Sequence, residues 1–273
     1  MAQDTGKFRK NTKDQYYTKT IVAKKCVNAV QGLVPGVDSY QWIEPSAGNG
    51  AFLKVAPGLD KIGIDLEPKS ADIQMGDFLE WVPSGSKKRI FFGNPPFGRQ
   101  GSLAKAFIKH CALYGEVIAF ILPRSFVKPS MSRAFPLKFH CIHSEELEKN
   151  AFEVNGIEYD VPCVFQIWQK KAIDRIVAPA VKEIGFSYVK AGEPFHISFK
   201  RVGGLAGKCS AAGGVFNPQF HYFLKLDAEY VEEVEKIIAE VNKHTFPSNT
   251  VGPRSLSKGE ANVVLNAVLA GVL

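Results

Sequence analysis

The sequence predicts an α/β protein, with a largely parallel sheet in residues 1–172 and a small α+β module in residues 173–273. Three observations predict it. Short apolar runs repeatedly end in a glycine, proline or acid: Trp42-Ile43 before Glu44-Pro45, Ile62-Gly63-Ile64 before Asp65, and Ile90-Phe91-Phe92 before Gly93-Asn94. The run Val117-Ile118-Ala119-Phe120-Ile121-Leu122 is apolar throughout, as a parallel strand covered on both faces must be. Beyond residue 172 the pattern changes to alternating strands, a glycine-rich stretch, an amphipathic helix and a final capped helix.

The elements follow in order. Gln15-Tyr16-Tyr17-Thr18 precedes an amphipathic segment, Ile21 to Val27. Glu44-Pro45-Ser46-Ala47-Gly48-Asn49-Gly50 then joins a strand to an expected helix start. Gly48 and Gly50 let backbone approach a ligand, and a helix N-terminus offers free N–H groups. The spacing is neither that of a dinucleotide loop nor that of a P-loop. Asp65 is placed at the carboxyl end of a second strand, where an acid bonds ribose hydroxyls. Asp77 and Phe78 end a short third strand and suit the amine and the face of a bound adenine. Each acid taken alone is more readily a turn cap, and it is their order together that favours the site. The connection from Asp65 to Ile73 is too short for a crossover helix, so that helix is expected to be missing or reduced.

The most specific segment is Asn94-Pro95-Pro96-Phe97. Pro96 has a fixed φ and pushes Pro95 towards an extended conformation, so the turn is rigid. The side-chain carbonyl of Asn94 and the main-chain carbonyl of Pro95 can address one NH₂ group, with Phe97 as a stacking face. Alone, the segment reads equally as a rigid surface turn; the glycine loop upstream favours the amine site. Ser102 to Tyr114 has helical periodicity and stops at Gly115. Phe139 to Leu147 and Val161 to Trp168 read as two further strands.

In this order the motifs resemble the class I methyltransferases that use S-adenosylmethionine, and in particular the gamma group of DNA adenine-N6 methyltransferases. The resemblance covers roughly the first 170 residues, the size of one domain. It implies a Rossmann-like sheet of seven strands, the last antiparallel. It implies cofactor contacts from Tyr17, Thr18, Glu44, Pro45, Ser46, Gly48, Gly50, Asp65, Leu66, Asp77 and Phe78. It implies catalysis at Asn94, Pro95, Pro96 and Phe97, with methyl transfer to adenine N6 in DNA. RNA adenine is the alternative substrate, and a binding subunit that kept the fold is a third reading. The chain departs from the group at Thr18-Lys19, where Thr-Pro is usual. It departs again at Phe152-Glu153, where Phe-Pro is usual. Phe152 is therefore either a ring that stacks on the target base or a core residue at the base of a hairpin.

The composition agrees. The formal net charge is +7 and 45% of residues are hydrophobic. Basic residues gather at Lys7, Arg9, Lys10, Lys13, Lys19, Lys24 and Lys25, and again at Lys200, Arg201, Lys208, Arg254 and Lys258. Such a surface attracts a polyanion. Lys200, Arg201 and Lys208 adjoin a glycine-rich loop expected to be long and mobile, and are read as contacts to a nucleic-acid backbone. The module is either a substrate-recognition element or a lid. Asp227 to Val241 is read as an amphipathic helix with Asp227 as N-cap, and Ser257 with Glu260 has capping-box spacing. His140-Cys141-Ile142-His143 splits its side chains between two faces of a strand, so no metal is expected. Five cysteines without C-x-x-C spacing read as reduced thiols. The N-terminus lacks an apolar signal core and no stretch has membrane-spanning length. These features lead to the expectation of a cytoplasmic protein, and the resemblance to one of prokaryotic, phage or viral origin.

Overall fold

The computed structural model describes residues 16–250 and 252–272. The chain forms two compact units, Met1–Ile176 and Val177–Leu273. Gln15 and the basic residues Lys7, Arg9, Lys10 and Lys13 lie outside the described residues.

The first unit runs β1 (Tyr17–Thr18), α1 (Thr20–Leu33), β2 (Gln41–Glu44), β3 (Lys61–Asp65), β4 (Ile73–Met75), β5 (Arg89–Gly93), α2 (Ser102–Tyr114), β6 (Val117–Pro123), α3 (Pro129–Ser132), β7 (Phe139–Glu146), β8 (Phe152–Val154), β9 (Ile157–Tyr159) and β10 (Cys163–Lys170). Seven strands form one sheet in the order β4-β3-β2-β5-β6-β10-β7. The first five in that order are parallel, and β10 enters antiparallel between β6 and β7. This is the Rossmann-like class I methyltransferase sheet. Strand order reverses between β2 and β5, which opens a crevice at their carboxyl ends. A second, three-stranded sheet joins β1, β8 and β9.

Burial explains the layers. Every residue of β5 and β6 is buried. α1 buries Ala23, Cys26, Val27 and Val30, and α2 buries Ala104, Phe107, Ile108 and Cys111, in both cases one helical stripe. Gly115 ends α2, its N–H donating to the Cys111 carbonyl at 2.8 Å. Near the end of the unit, Arg175 donates to the carbonyls of Ser132, Phe135, Pro136 and Phe139 and lies 5.2 Å from the Trp168 ring. That fork ties residues 173–176 to the first unit, a few residues past the boundary expected at 172.

One local expectation changes and another holds. No α-helix follows Gly50; residues 50–56 make only isolated turn bonds, such as Lys54 N–H to Gly50 O at 3.0 Å and Ala56 N–H to Phe52 O at 2.9 Å. Pro57 disfavours helical geometry at Ala56 and cannot donate, so the segment stops after about one turn. Residues 66–72 likewise contain no helix, as their length requires.

The second unit holds β11 (Phe186–Val189), β12 (Ile197–Lys200), β13 (Cys209–Ala211), β14 (His221–Leu226), α4 (Val234–Lys243) and α5 (Lys258–Ala270). Its four strands form an antiparallel sheet in the order β11-β14-β12-β13. β13 lies inside the stretch expected to be a mobile loop, because Cys209 pairs with Phe199 and is buried. The helix expected from Asp227 begins as a 3₁₀ segment, Ala228–Glu233, and Asp227 makes no side-chain cap bond. α5 has the expected capping box between Ser257 and Glu260. No helix among the described residues is long and apolar enough to cross a membrane. All five cysteines are unpaired, and only Cys141 is exposed.

Candidate active site

The crevice at the ends of β2 and β5 contains a cavity of about 450 Å³, within the usual range of roughly 300–1,000 Å³ for small-molecule sites. Its walls come from six chain segments, one of them α2. β1 contributes Tyr17 and Thr18, the turn after β2 contributes Glu44, Pro45, Ser46 and Gly48, and the end of β3 contributes Asp65 and Leu66. The turn after β4 contributes Asp77 and Phe78, and the turn after β5 contributes Asn94 and Pro96. Gly50 is not part of the wall. It faces β4, where an added Cβ would meet Ile73 Cδ1 at 3.5 Å.

The acids hold the site together. Asp65 Oδ2 accepts from Gly48 N–H at 2.7 Å, and its Oδ1 accepts from Glu67 N–H at 2.8 Å. The Gly48 backbone is left-handed, with φ +53°, and an added Cβ would stand 3.0 Å from the Tyr17 ring. Glycine thus permits both the turn and the approach of Tyr17. Burial raises the Tyr17 hydroxyl above its usual range, and the charges of Asp65 and Glu67 add to the shift. Asp77 Oδ1 accepts from Leu79 N–H at 2.8 Å, and Phe78 is packed among Trp81, Phe91, Phe107 and His110.

Glu44 is only 2% exposed. Its Oε2 accepts from Leu53 N–H at 2.9 Å, which ties the turn after β2 back to the strand. Burial pushes its carboxyl well up, opposed by the amides of Leu53 and Phe52. Gly93 makes room for it: φ is +127°, and an added Cβ would lie 3.2 Å from Glu44 Cγ.

A second, much smaller cavity is lined by Tyr16, Asn94, Pro95, Phe97, Phe152 and Val161. Tyr16 and Asn94 line both cavities. Asn94 Nδ2 donates to the Tyr16 carbonyl at 3.1 Å, while Asn94 Oδ1 is buried with no partner. Thr18 Oγ1 is also buried with no partner. Uncompensated polar atoms of this kind are costly in a folded chain. Here both belong to residues that line the large cavity. Phe152 is 1% exposed and its ring is edge-on to Tyr16 at 6.2 Å. It is thus both a packed residue at a hairpin base and part of the small cavity's wall.

Tyr16, Leu79, Leu103 and Phe107 were not anticipated as wall residues. Leu103 and Phe107 lie four apart on one face of α2, the spacing that could have flagged them. Lys200, Arg201 and Lys208 belong to the second unit. Lys208 Nζ donates to the Asn242 carbonyl, and Arg201 lies 4.9 Å from the Tyr222 ring with its Nε buried and unpartnered. Among the described residues no group of His, Cys, Asp and Glu is arranged to hold a metal. His140 bonds the Ile173 carbonyl, and Cys141 donates to the His143 carbonyl.

The cavity's chemistry fits S-adenosylmethionine: carboxylates at the ends of β3 and β4, an orphaned hydroxyl at Thr18, and apolar walls at Leu66, Leu79 and Phe107.

No family model matches the chain, and no curated protein does. Solved structures with a similar arrangement include a Pyrococcus horikoshii protein assigned provisionally to the RNA methyltransferases. It is 17% identical, with 59% of this chain and 90% of that one covered, at a TM-score of 0.45. The 23S rRNA methyltransferase ErmE is 14% identical over 59% of this chain and 71% of its own, with a TM-score of 0.43. The M protein of the type I restriction enzyme EcoKI is 16% identical over 60% of this chain and 46% of its own, also at 0.43.

Proposed function

We propose that this protein transfers a methyl group from S-adenosylmethionine to the exocyclic N6 amine of adenine in DNA. The observation that carries the proposal is the buried, unpartnered Oδ1 of Asn94 at the junction of two cavities. A lone acceptor there calls for an N–H donor, and an exocyclic amine supplies it.

In this reading Thr18, Asp65 and Asp77 hold the cofactor, with Gly48 giving its tail close access to backbone. S-adenosylmethionine supplies, when bound, an electrophilic methyl on a sulfonium centre. The protein's own task is to prepare the nitrogen. An aromatic amine is a poor nucleophile because its lone pair is delocalised into the ring. Asn94 Oδ1 and the Pro95 carbonyl accept its two hydrogens and draw the nitrogen towards tetrahedral geometry. Neither proline has an N–H to compete for those acceptors. Phe97 and Phe152 offer faces to the base. A duplex adenine must first leave the stack, at a cost of a few kcal/mol, and this stacking offsets part of it. The small cavity is too narrow for a base as it stands, so the two phenylalanine side chains must part on binding. Lys200 and Arg201 in the second unit hold the phosphate backbone.

The test is incubation with labelled S-adenosylmethionine and, separately, duplex DNA, single-stranded DNA and total RNA, followed by nucleoside analysis. Label in N6-methyldeoxyadenosine is expected. Label confined to RNA would transfer the assignment to RNA adenine, and label in none of the three would overturn it.

A further inference from the structure

An amide side chain can sit in its site in two ways, related by a half-turn about its terminal bond, and only one of them turns its oxygen away from a neighbouring acceptor. At Asn94 the choice is made by a group 78 residues away in the chain. Nδ2 donates to the main-chain carbonyl of Tyr16 at 3.1 Å, and this leaves Oδ1 as the buried acceptor with no partner. The half-turned amide would set Oδ1 against the Tyr16 oxygen, two acceptors face to face, and would leave its donor in the place of the free acceptor.

The Tyr16 carbonyl is itself held. β1 begins at the next residue and pairs antiparallel with β8, Tyr17 opposite Glu153 and Thr18 opposite Phe152. Lys19 N–H donates to the Ala151 carbonyl at 3.1 Å. The Tyr16 ring packs edge-on against Phe152 at 6.2 Å and Tyr159 at 5.7 Å. Backbone pairing and ring packing together fix where the carbonyl points.

We infer that the main-chain carbonyl of Tyr16 is a positioning group for the reaction, which holds the Asn94 amide with its oxygen towards the target amine. The inference rests on the proposed reaction and adds a requirement to it. A carboxylate would be the stronger acceptor for an amine, so chemistry alone favours Asp at position 94. Opposite Tyr16, however, an ionised carboxylate has no donor to give, and one of its oxygens would be forced against the carbonyl. The chain therefore needs Asn here, for the contact behind the amide and not for the one in front of it.

Asn94→Asp tests this. Next to a carbonyl oxygen and partly buried, the new carboxyl is held above the usual aspartate value of about 3.9. Protonated, it donates to Tyr16 O and keeps an accepting oxygen for the target; ionised, it does neither properly. The expected kcat of N94D is lower than wild type by about 10²-fold at pH 8, the scale of losing one preorganised group. That deficit should narrow as pH falls towards 5, whereas the wild-type profile shows no such recovery. A variant with near wild-type kcat and a parallel pH profile overturns the inference and leaves the proposed reaction standing. The second measurement needs no substrate: thermal unfolding of ligand-free N94D and wild type across the same pH range. A carboxyl with a raised folded value stabilises below its unfolded value and loses that contribution as pH rises. The Tm gap should thus widen from pH 4 to pH 8. A gap that is constant with pH counts against the contact, and this holds even if wild type methylates none of the nucleic acids.

Discussion

Thr18 of β1 stands directly across from Phe152 of β8 in an antiparallel pair. Thr18 lines the large cavity and Phe152 lines the small one. One small sheet therefore contributes to both walls, and what disturbs its pairing reaches both cavities. Phe152→Ala removes a ring that is 1% exposed, a change that typically costs about 3–5 kcal/mol of stability. It is expected to weaken DNA binding and S-adenosylmethionine binding together. Calorimetry with each ligand checks this; an unchanged cofactor affinity would show that the β1–β8 pairing carries no coupling.

Asp65 accepts from Gly48 N–H and so shapes the loop as well as offering a carboxylate to the cavity. Asp65→Ala should weaken S-adenosylmethionine by about 1.5–3 kcal/mol, the scale of a hydrogen bond to a charged group. Titration calorimetry that finds equal affinity would remove Asp65 from the site.

Asn94→Ala should leave cofactor affinity largely intact and reduce turnover by about 10²–10³-fold, comparable to the loss of one oxyanion-hole donor. The asymmetry follows from the role proposed for Oδ1, which faces the amine. Single-turnover rates within a few-fold of wild type would refute that role.

Glu44 carries a pH-dependent term in stability. Burial raises its carboxyl well above the ordinary 4.5. Its favourable contribution is present below that value and is lost as pH climbs through the raised one. Glu44→Gln removes the titration and keeps an acceptor for Leu53 N–H. Wild type minus variant stability should be greatest near pH 4 and shrink towards pH 8. Denaturant unfolding at several pH values measures it, and a flat difference would mean that the Leu53 and Phe52 amides fully offset burial.

In the second unit, Lys208 Nζ is engaged by the Asn242 carbonyl, while Arg254 lies beside Arg201. Leu256 N–H donates to Arg201 O and Gly203 N–H to Arg254 O, which brings the two arginine segments side by side. Both guanidinium Nε atoms are buried without a partner. Replacing Lys200, Arg201 and Arg254 by Gln should flatten the dependence of log affinity on log salt by roughly 0.9 for each duplex phosphate that is no longer neutralised. Cofactor binding should stay normal. A lid would behave in the opposite way, with altered cofactor retention and an unchanged slope.

What depends on near neighbours was legible in the residues alone. Two prolines after Asn94 make a rigid turn wherever they occur. Gly115 stops a helix that its own apolar stripe defines, and Ser257 with Glu260 caps another, since the partners are three residues apart. The apolar runs that became β5 and β6 were legible because a strand buried on both faces must be apolar throughout. What depends on distant partners emerged only with the fold. The glycine loop enters no helix because Pro57 cuts the segment short while Phe52 and Leu53 are drawn into the core. β13 forms in a stretch that reads as loop because β12 offers it an edge. The orientation of the Asn94 amide depends on a carbonyl 78 residues earlier, brought there by β1 pairing with β8. A side chain's chemistry is written in its identity, but the group that faces it is set only when strands remote in the chain find their register.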